Sequence, residues 1–302
     1  MKLSIPHPIP YQGSKRRLAP AILSYMPKTS TMRLVEPFAG SAAITLAAAT
    51  SEMFSSYVVG DLLEPLMQLW QMIAENPKHI ADQYESYWES ERKRPIKAYY
   101  EIRSDFNTDG DPTKLLYLLV RCVKNAVRFN PSGGFNQSPD KRRTGRKPEL
   151  MRKEIYSANK IITGKFRAVS MDFMSLILEA KEGDFFYLDP PYQGTTDGRD
   201  KRYIGGVSRE KICEALTILN EKNVPFILSY DGSCGERNYG EPLPSTVANR
   251  IMINAGRSSQ ATLNGRDEIT VESLYVSNLI SQANAEVARS ENFNMEQQVL
   301  FA

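Results

Sequence analysis

The sequence predicts an α/β fold: a doubly wound, mostly parallel sheet carrying an inserted, mainly helical lobe. Three observations predict it. Short apolar runs closed by turn residues (32–37, 57–61, 166–173, 184–188 and 224–232) alternate with helical patterns, as in parallel strands joined by crossover helices. Between the second and third runs, residues 75 to about 160 show helical periodicity and polar breaks but no strand pattern. The 302 residues are 41% hydrophobic and 24% charged, enough to build one large domain or two.

The first feature in chain order is the loop Tyr11-Gln12-Gly13-Ser14-Lys15, which sets a cation beside an aromatic ring and leads into a helical stretch from about Arg16. A strand over 32–37 runs into the turn Phe38-Ala39-Gly40-Ser41 and then a helix over 42–50. This strand, glycine loop and helix unit brings backbone close to a cofactor, although a packing turn has the same local pattern. The next strand ends in Asp61, 21 residues after Gly40. An acid about 20 residues beyond the glycine turn is the one that holds ribose hydroxyls in nucleoside-binding sheets. A helix N-cap for 62–74 is the plainer role for the same side chain.

The lobe should hold helices over 81–91, 95–106 and 113–126, with breaks at 107–111 and 130–134 and no internal repeat. It ends in a loop containing Arg128, Asn130, Asn136 and Gln137, followed by Lys141, Arg142, Arg143, Arg146 and Lys147. The net charge of +3 is unevenly spread: residues 121–167 hold 13 Lys/Arg against 3 Asp/Glu, or +10, and the remainder holds 25 against 32, or −7. A basic island on an acidic body implies a polyanion on one face. Its arginines and amides are the side chains that meet phosphates and read base edges.

The sheet resumes at 166–173, where Asp172 can cap a helix over 174–180. The run Asp184-Phe185-Phe186-Tyr187-Leu188-Asp189-Pro190-Pro191-Tyr192 then reads as a buried strand stopped by a double proline. Neither proline can donate to a sheet ladder, and each fixes its own φ. The outcome is a stiff elbow at the carboxyl end of a strand, where open α/β sheets bind ligands. It offers a carboxylate, rigid carbonyls and an aromatic face, which suits a planar amine. Beyond it, the polar, glycine-containing stretch 193–206 with Lys201 and Arg202 can close over such a ligand. A helix over 208–220, a strand over 224–232 and closing antiparallel strands over 250–254 and 273–278 complete the chain, with a polar loop over 255–267 and a polar tail.

Asp189-Pro190-Pro191-Tyr192 at a strand end resembles the catalytic motif of DNA amino-group methyltransferases. The motif order is similar to that of the Dam-like adenine-N6 methyltransferases, to about Asn278. Tyr11 to Lys15 resembles that family's aromatic-x-Gly-Gly-Lys motif with Ser14 at the second glycine, and 38–42 resembles Phe-x-Gly-x-Gly with Ala42 at the last.

The resemblance implies a seven-stranded methyltransferase sheet over 1–75 and 160–302, with a target-recognition lobe over 76–159. It implies S-adenosylmethionine held by Tyr11, Lys15, Glu36, Pro37, Phe38, Ala39, Gly40, Asp61, Leu62, Asp172, Phe173 and Asp189. Asp189 and the Pro190 carbonyl would take the two N–H bonds of a flipped-out adenine, with Pro191 stiffening the elbow and Tyr192 stacking on the base. The basic segment, Lys201 and Arg202 would approach double-stranded DNA, and a cognate restriction endonuclease acting on the same site would be a further partner.

Other classes compete. Cytosine-N4 enzymes more often carry Ser where Asp189 stands; RNA base methyltransferases share the elbow but more often lack the large insertion. A DNA-binding module on a degenerate scaffold is the non-enzymatic alternative. Cys122, Cys213 and Cys234 are widely spaced and the chain has only His7 and His79, so neither a metal site nor a disulfide framework is expected. No apolar run approaches the roughly 18 residues of a membrane span, and the amino-terminal apolar run is too short for a secretory signal. A cytoplasmic location is the expectation.

Overall fold

The computed structural model describes residues 4–191, 207–234, 237–239, 241–257 and 269–280. Tyr192, Lys201 and Arg202 lie outside them. The elements run α1 (Ala19–Ser24), β1 (Arg33–Glu36), α2 (Ala43–Thr50), β2 (Ser56–Asp61) and α3 (Glu64–Glu75). The lobe follows as α4 (Pro77–Lys93), α5 (Lys97–Asp109), α6 (Pro112–Arg121) and α7 (Pro148–Ile162). Then come β3 (Phe166–Ser170), α8 (Phe173–Leu178), β4 (Asp184–Leu188), α9 (Arg209–Glu221), β5 (Phe226–Cys234), β6 (Arg237–Tyr239), β7 (Asn249–Arg257) and β8 (Ile269–Val276).

The main path through the sheet is β3-β2-β1-β4-β5-β8-β7, with short β6 attached to β5. From β3 to β5 the strands are parallel; β8 pairs antiparallel with both β5 and β7. The seven-strand, mostly parallel α/β sheet expected from the sequence is present.

Successive residues of a strand point to opposite faces, so a strand buried on both faces feeds two cores. Leu34, Tyr57, Val59, Phe185, Tyr187 and Ile227 enter one apolar cluster. Their neighbours Val35, Val58, Phe186, Leu188, Phe226 and Leu228 enter the other. The first cluster is completed by α1 to α3 and by lobe residues such as Tyr84, Tyr99, Leu116 and Ile155. The second is covered by Phe173 and Ile177 of α8 and by Ile212, Leu216 and Leu219 of α9. The lobe helices therefore share a core with one face of the sheet, α6 and α7 packing against α3.

Three sequence expectations need correction. The helix expected over 113–126 ends at Arg121, because Cys122 turns extended and Lys124 and Asn125 take φ of 61° and 51°. A helix, α7, occupies 148–162, a segment outside the helices that the periodicity predicts. Its Pro148, Met151, Ile155, Ala158 and Ile162 form one buried stripe, and Pro148 sits in the first turn where its missing N–H costs nothing. Strand β7 runs to Arg257, into the segment assigned to a loop.

Candidate active site

In a parallel sheet all carboxyl ends lie on one edge, and the strand order reverses between β1 and β4. The path leaves β1 for β2 and β3 on one side, and β4 for β5 on the other. That switch point opens a crevice. A cavity of about 250 Å3 occupies it, lined by Glu36 and Pro37 from β1, Asp61 from β2, Met171 and Asp172 after β3, and Asp189 and Pro191 after β4. Tyr11, Lys15, Phe38, Ala39, Gly40, Leu62 and Phe173 line it too. Every residue assigned to cofactor binding in the sequence thus borders a single cavity.

The β1–α2 turn explains the glycine. Gly40 has φ +46°, and a Cβ there would lie 3.1 Å from Cδ1 of the Tyr11 ring. Ring and backbone touch only because no side chain intervenes. Trp70 of α3, fully buried, donates its Nε1–H to the Gly40 carbonyl at 3.0 Å and fixes the turn from behind.

Ala42 occupies the left-handed region (φ 47°, ψ 37°) that the resemblance fills with glycine, and its methyl is buried in the core without lining the cavity. Strain at Ala42 is set against packing, and the binding space is untouched. Ser14, at φ −53°, needs no glycine; its hydroxyl accepts from Ser41 at 2.8 Å and ties the amino-terminal loop to the β1–α2 turn.

Asp61 is held by two backbone amides: Gly40 N–H reaches Oδ2 at 3.2 Å and Leu63 N–H reaches Oδ1 at 3.0 Å. Burial raises its pKa, and these amide bonds oppose the rise. Two oxygens fixed in one plane at a cavity wall match a vicinal diol. Asp172 both caps α8, accepting from Met174 N–H at 2.9 Å, and lines the cavity. Phe38 and Phe173, with ring centroids 4.9 Å apart, give an apolar wall. Glu36 is buried; its Oε2 accepts from the Thr45 amide at 2.9 Å and the Thr45 hydroxyl at 2.5 Å. Burial pushes its carboxyl up to about 8, Thr45 opposing and the charge of Asp189 adding to the rise.

Asp189 follows β4, whose five residues are all buried. Lys15 Nζ lies 3.1 Å from Asp189 Oδ1 and 3.4 Å from Glu272 Oε2 on β8. Burial raises the Asp189 carboxyl to about 6; Lys15 holds it down and Glu272 pushes it up. Glu272 had no signal in the sequence, since β8 reaches the site only by pairing with β5. Gln12, Ser41, Val127, Val207 and Lys211 also line the cavity without having been singled out.

The basic island divides. Asn136, Lys141, Arg142, Arg143 and Lys147 are exposed. Asn130 accepts from the Gly134 amide at 2.8 Å and builds a turn. Gln137 donates to the Val123 carbonyl at 3.0 Å, and Arg146 to the His7 carbonyl at 2.5 Å. Arg128 is partly buried. Beneath the island, Arg121 of α6 pairs with Glu91 of α4 and donates to the carbonyls of Asp140 and Arg143.

A mostly parallel sheet with one carboxylate at its switch point and a second acid held by backbone amides in the same crevice is the architecture of nucleoside-binding α/β enzymes. A family model described as D12 class N6 adenine-specific DNA methyltransferase matches residues 11–258. The chain belongs to that family.

It is 31% identical over 262 residues to the Retron Ec67 DNA adenine methylase of Escherichia coli, covering 83% of this chain and 87% of that protein. It is 25% identical to the Type II methyltransferase M1.LlaDCHI of Lactococcus lactis subsp. cremoris, covering 60% of this chain and 64% of the relative. Identity to the DNA adenine methylase of Salmonella typhi is 27%, covering 60% and 63%. No helix among the described residues is long and apolar enough to cross a membrane.

Proposed function

We propose that the chain methylates adenine N6 at a specific sequence in double-stranded DNA, using S-adenosylmethionine. The observation that carries this reading is Asp189, held at the switch point in the same cavity as Asp61 and Glu36. When bound, S-adenosylmethionine supplies an electrophilic methyl group. The residues suit it: Asp61 offers fixed acceptors to ribose hydroxyls, Phe38, Leu62 and Phe173 offer apolar contact to a purine, and the carboxylates Asp189 and Asp61 favour a cation.

The amine is a poor nucleophile because its lone pair is delocalised into the ring. Asp189 and the Pro190 carbonyl accept its N–H bonds and orient the lone pair, supplying acceptors where positive charge develops. The base must first leave the duplex, at a cost of about a few kcal/mol in unstacking. The exposed cations of the lobe, Lys141, Arg142, Arg143 and Lys147, would meet phosphates, as would Lys201 and Arg202, while Tyr192 would stack on the base. A cognate restriction endonuclease acting on the same site is proposed as partner, supported by the type II relative. In the test, labelled methyl transfer to duplex DNA and to structured RNA is followed for the wild type and Asp189→Ala. Transfer to DNA that Asp189→Ala abolishes, with duplex binding retained, is expected. Transfer to RNA alone, or full turnover by Asp189→Ala, contradicts the proposal.

A further inference from the structure

We propose that Glu272 is a positioning residue for the reaction: by sharing the Lys15 ammonium, it leaves the Asp189 carboxylate able to accept the N–H of the incoming amine. The inference rests on the proposed role of Asp189 and concerns a side chain outside every motif of the chain. One ammonium stands between two carboxylates, 3.1 Å from Asp189 Oδ1 and 3.4 Å from Glu272 Oε2. The three side chains are 10% (Lys15), 18% (Asp189) and 15% (Glu272) exposed. Screening by water is weak there, so a charge-assisted bond to Lys15 competes directly with one to the amine. With Asp189 alone as partner, the ammonium would keep the acceptor the amine needs. With Glu272 alongside, Lys15 transfers its weight by a side-chain rotation and remains paired.

The frame holds Glu272 in place. Strand β8 pairs with β5 at Glu272 and Gly232, just past a register shift between Ser229 and Gly232. Such a bulge re-aims the side chains beside it. A Cβ on Gly232 would lie 2.4 Å from the Val271 carbonyl oxygen and 3.2 Å from the Glu272 Cα, so the bare glycine lets β8 come this close. Strand β4, which delivers Asp189, pairs with the other edge of β5.

Among the described residues, the charged and titratable groups that act on Asp189 or feel its charge are Lys15 from the amino-terminal loop, Glu272 from β8, Glu36 from β1 and Tyr187 from β4. Burial holds Glu36 and Tyr187 protonated at neutral pH. Among the described residues, Lys15 and Glu272 are then charged neighbours of Asp189, acting in opposite directions.

The test compares the full chain with Glu272→Gln and Glu272→Asp in two measurements. One is single-turnover methyl transfer against pH, with saturating S-adenosylmethionine and duplex DNA carrying the target site with its adenine unmethylated. The other is titration of the Asp189 carboxyl 13C resonance without ligand, assigned by its loss in Asp189→Asn. Removing the acidic neighbour should move the Asp189 titration to lower pH. In Glu272→Gln the transfer plateau should fall roughly tenfold, the scale of a contacting pair, with cofactor and DNA affinities within about twofold of wild type. Glu272→Asp should recover most of the plateau. Wild-type values of both plateau and titration in Glu272→Gln overturn the proposal, as does a loss confined to cofactor affinity. Should Glu272→Gln fail to fold, Glu272→Ala, which also removes the carboxylate, decides by the same two measurements and the same outcomes. A wild type inert toward DNA overturns the proposed function instead; the 13C titration, which needs no substrate, still decides whether Glu272 and Asp189 share Lys15.

Discussion

The exposed cations of the lobe stand on one buried ion pair, and removing half of it should be costly. Arg121 and Glu91 are 4% and 8% exposed, and Arg121 Nε meets Glu91 Oε2 at 2.5 Å. The Tyr117 hydroxyl donates to the same carboxylate. On its other side the guanidinium donates to the Asp140 carbonyl at 3.1 Å and to that of Arg143. Glu91→Gln keeps an acceptor in place but leaves a cation uncompensated out of water. An exposed pair would be worth about 0–1 kcal/mol, whereas breaking a buried one costs about 3–5 kcal/mol. Since Gln preserves part of the hydrogen bonding, the lower end applies: about 3 kcal/mol, or a Tm lowered by roughly 6 °C in a chain of this size.

The triple variant Glu91→Leu, Tyr117→Phe, Arg121→Met removes both charges and the hydroxyl they satisfy. Replacing a buried pair by apolar groups is often neutral or stabilising, so much of the stability should return. The carbonyls of Asp140 and Arg143 nevertheless lose this donor, and the loop bearing Lys141 to Lys147 loses one of its anchors, that of Arg146 on the His7 carbonyl remaining. Urea unfolding measures the first effect, and fluorescence anisotropy with duplex DNA at several salt concentrations measures the second. The logarithmic salt dependence should flatten by about 0.9 for each phosphate that is no longer neutralised. Glu91→Gln within 1 kcal/mol of wild type, or a triple variant with unchanged affinity and salt slope, would refute the reasoning.

Three further outcomes follow from the site. Glu36 has its carboxyl raised from 4.5 to about 8 by burial, so its stability contribution is present below about pH 4.5 and is lost as pH rises through about 8; Glu36→Gln should melt increasingly above wild type from pH 5 to 9, and parallel curves would contradict this. Gly40→Ala meets both the positive φ and the Tyr11 ring; a loss of about 1–2 kcal/mol and weaker S-adenosylmethionine binding by calorimetry are expected, against unchanged binding as the contrary result. Ala42→Gly relieves about 1 kcal/mol of left-handed strain but removes a buried methyl worth about 0.8 kcal/mol, so stability in urea should stay within about 0.5 kcal/mol, and a larger loss would show that packing dominates.

The site was legible where chemistry sits next to the strand that presents it. Glu36, Asp61, Asp172 and Asp189 each lie at or just beyond a strand's carboxyl end, so a strand assignment carries its cavity-lining residue with it. The turn at Gly40 was legible for the same reason. What stayed hidden arrives from elsewhere in the chain. Trp70 supports Gly40 across 30 residues, and Glu91 reaches Arg121 across another 30. Helix α7 did leave a trace, the spacing of Met151, Ile155, Ala158 and Ile162, but lysines and arginines between them masked the stripe.

The basic island shows why charge counts alone mislead. Arg146 and Arg121 have the same composition signal as Lys141 and Arg142, yet both donate to backbone carbonyls and hold the loop in shape. A guanidinium has five donors in a rigid fork, so it can organise backbone as readily as it binds phosphate. Lys141 and Arg142 are instead exposed at the loop surface, which the buried Arg121 and the half-buried Arg146 shape from beneath. Sequence gives the sum of the two groups, and only the fold separates them. The same separation holds at the cavity: Lys15 is one cation in the sequence, but its place between Asp189 and Glu272 makes it a counterion whose partner can change during a reaction.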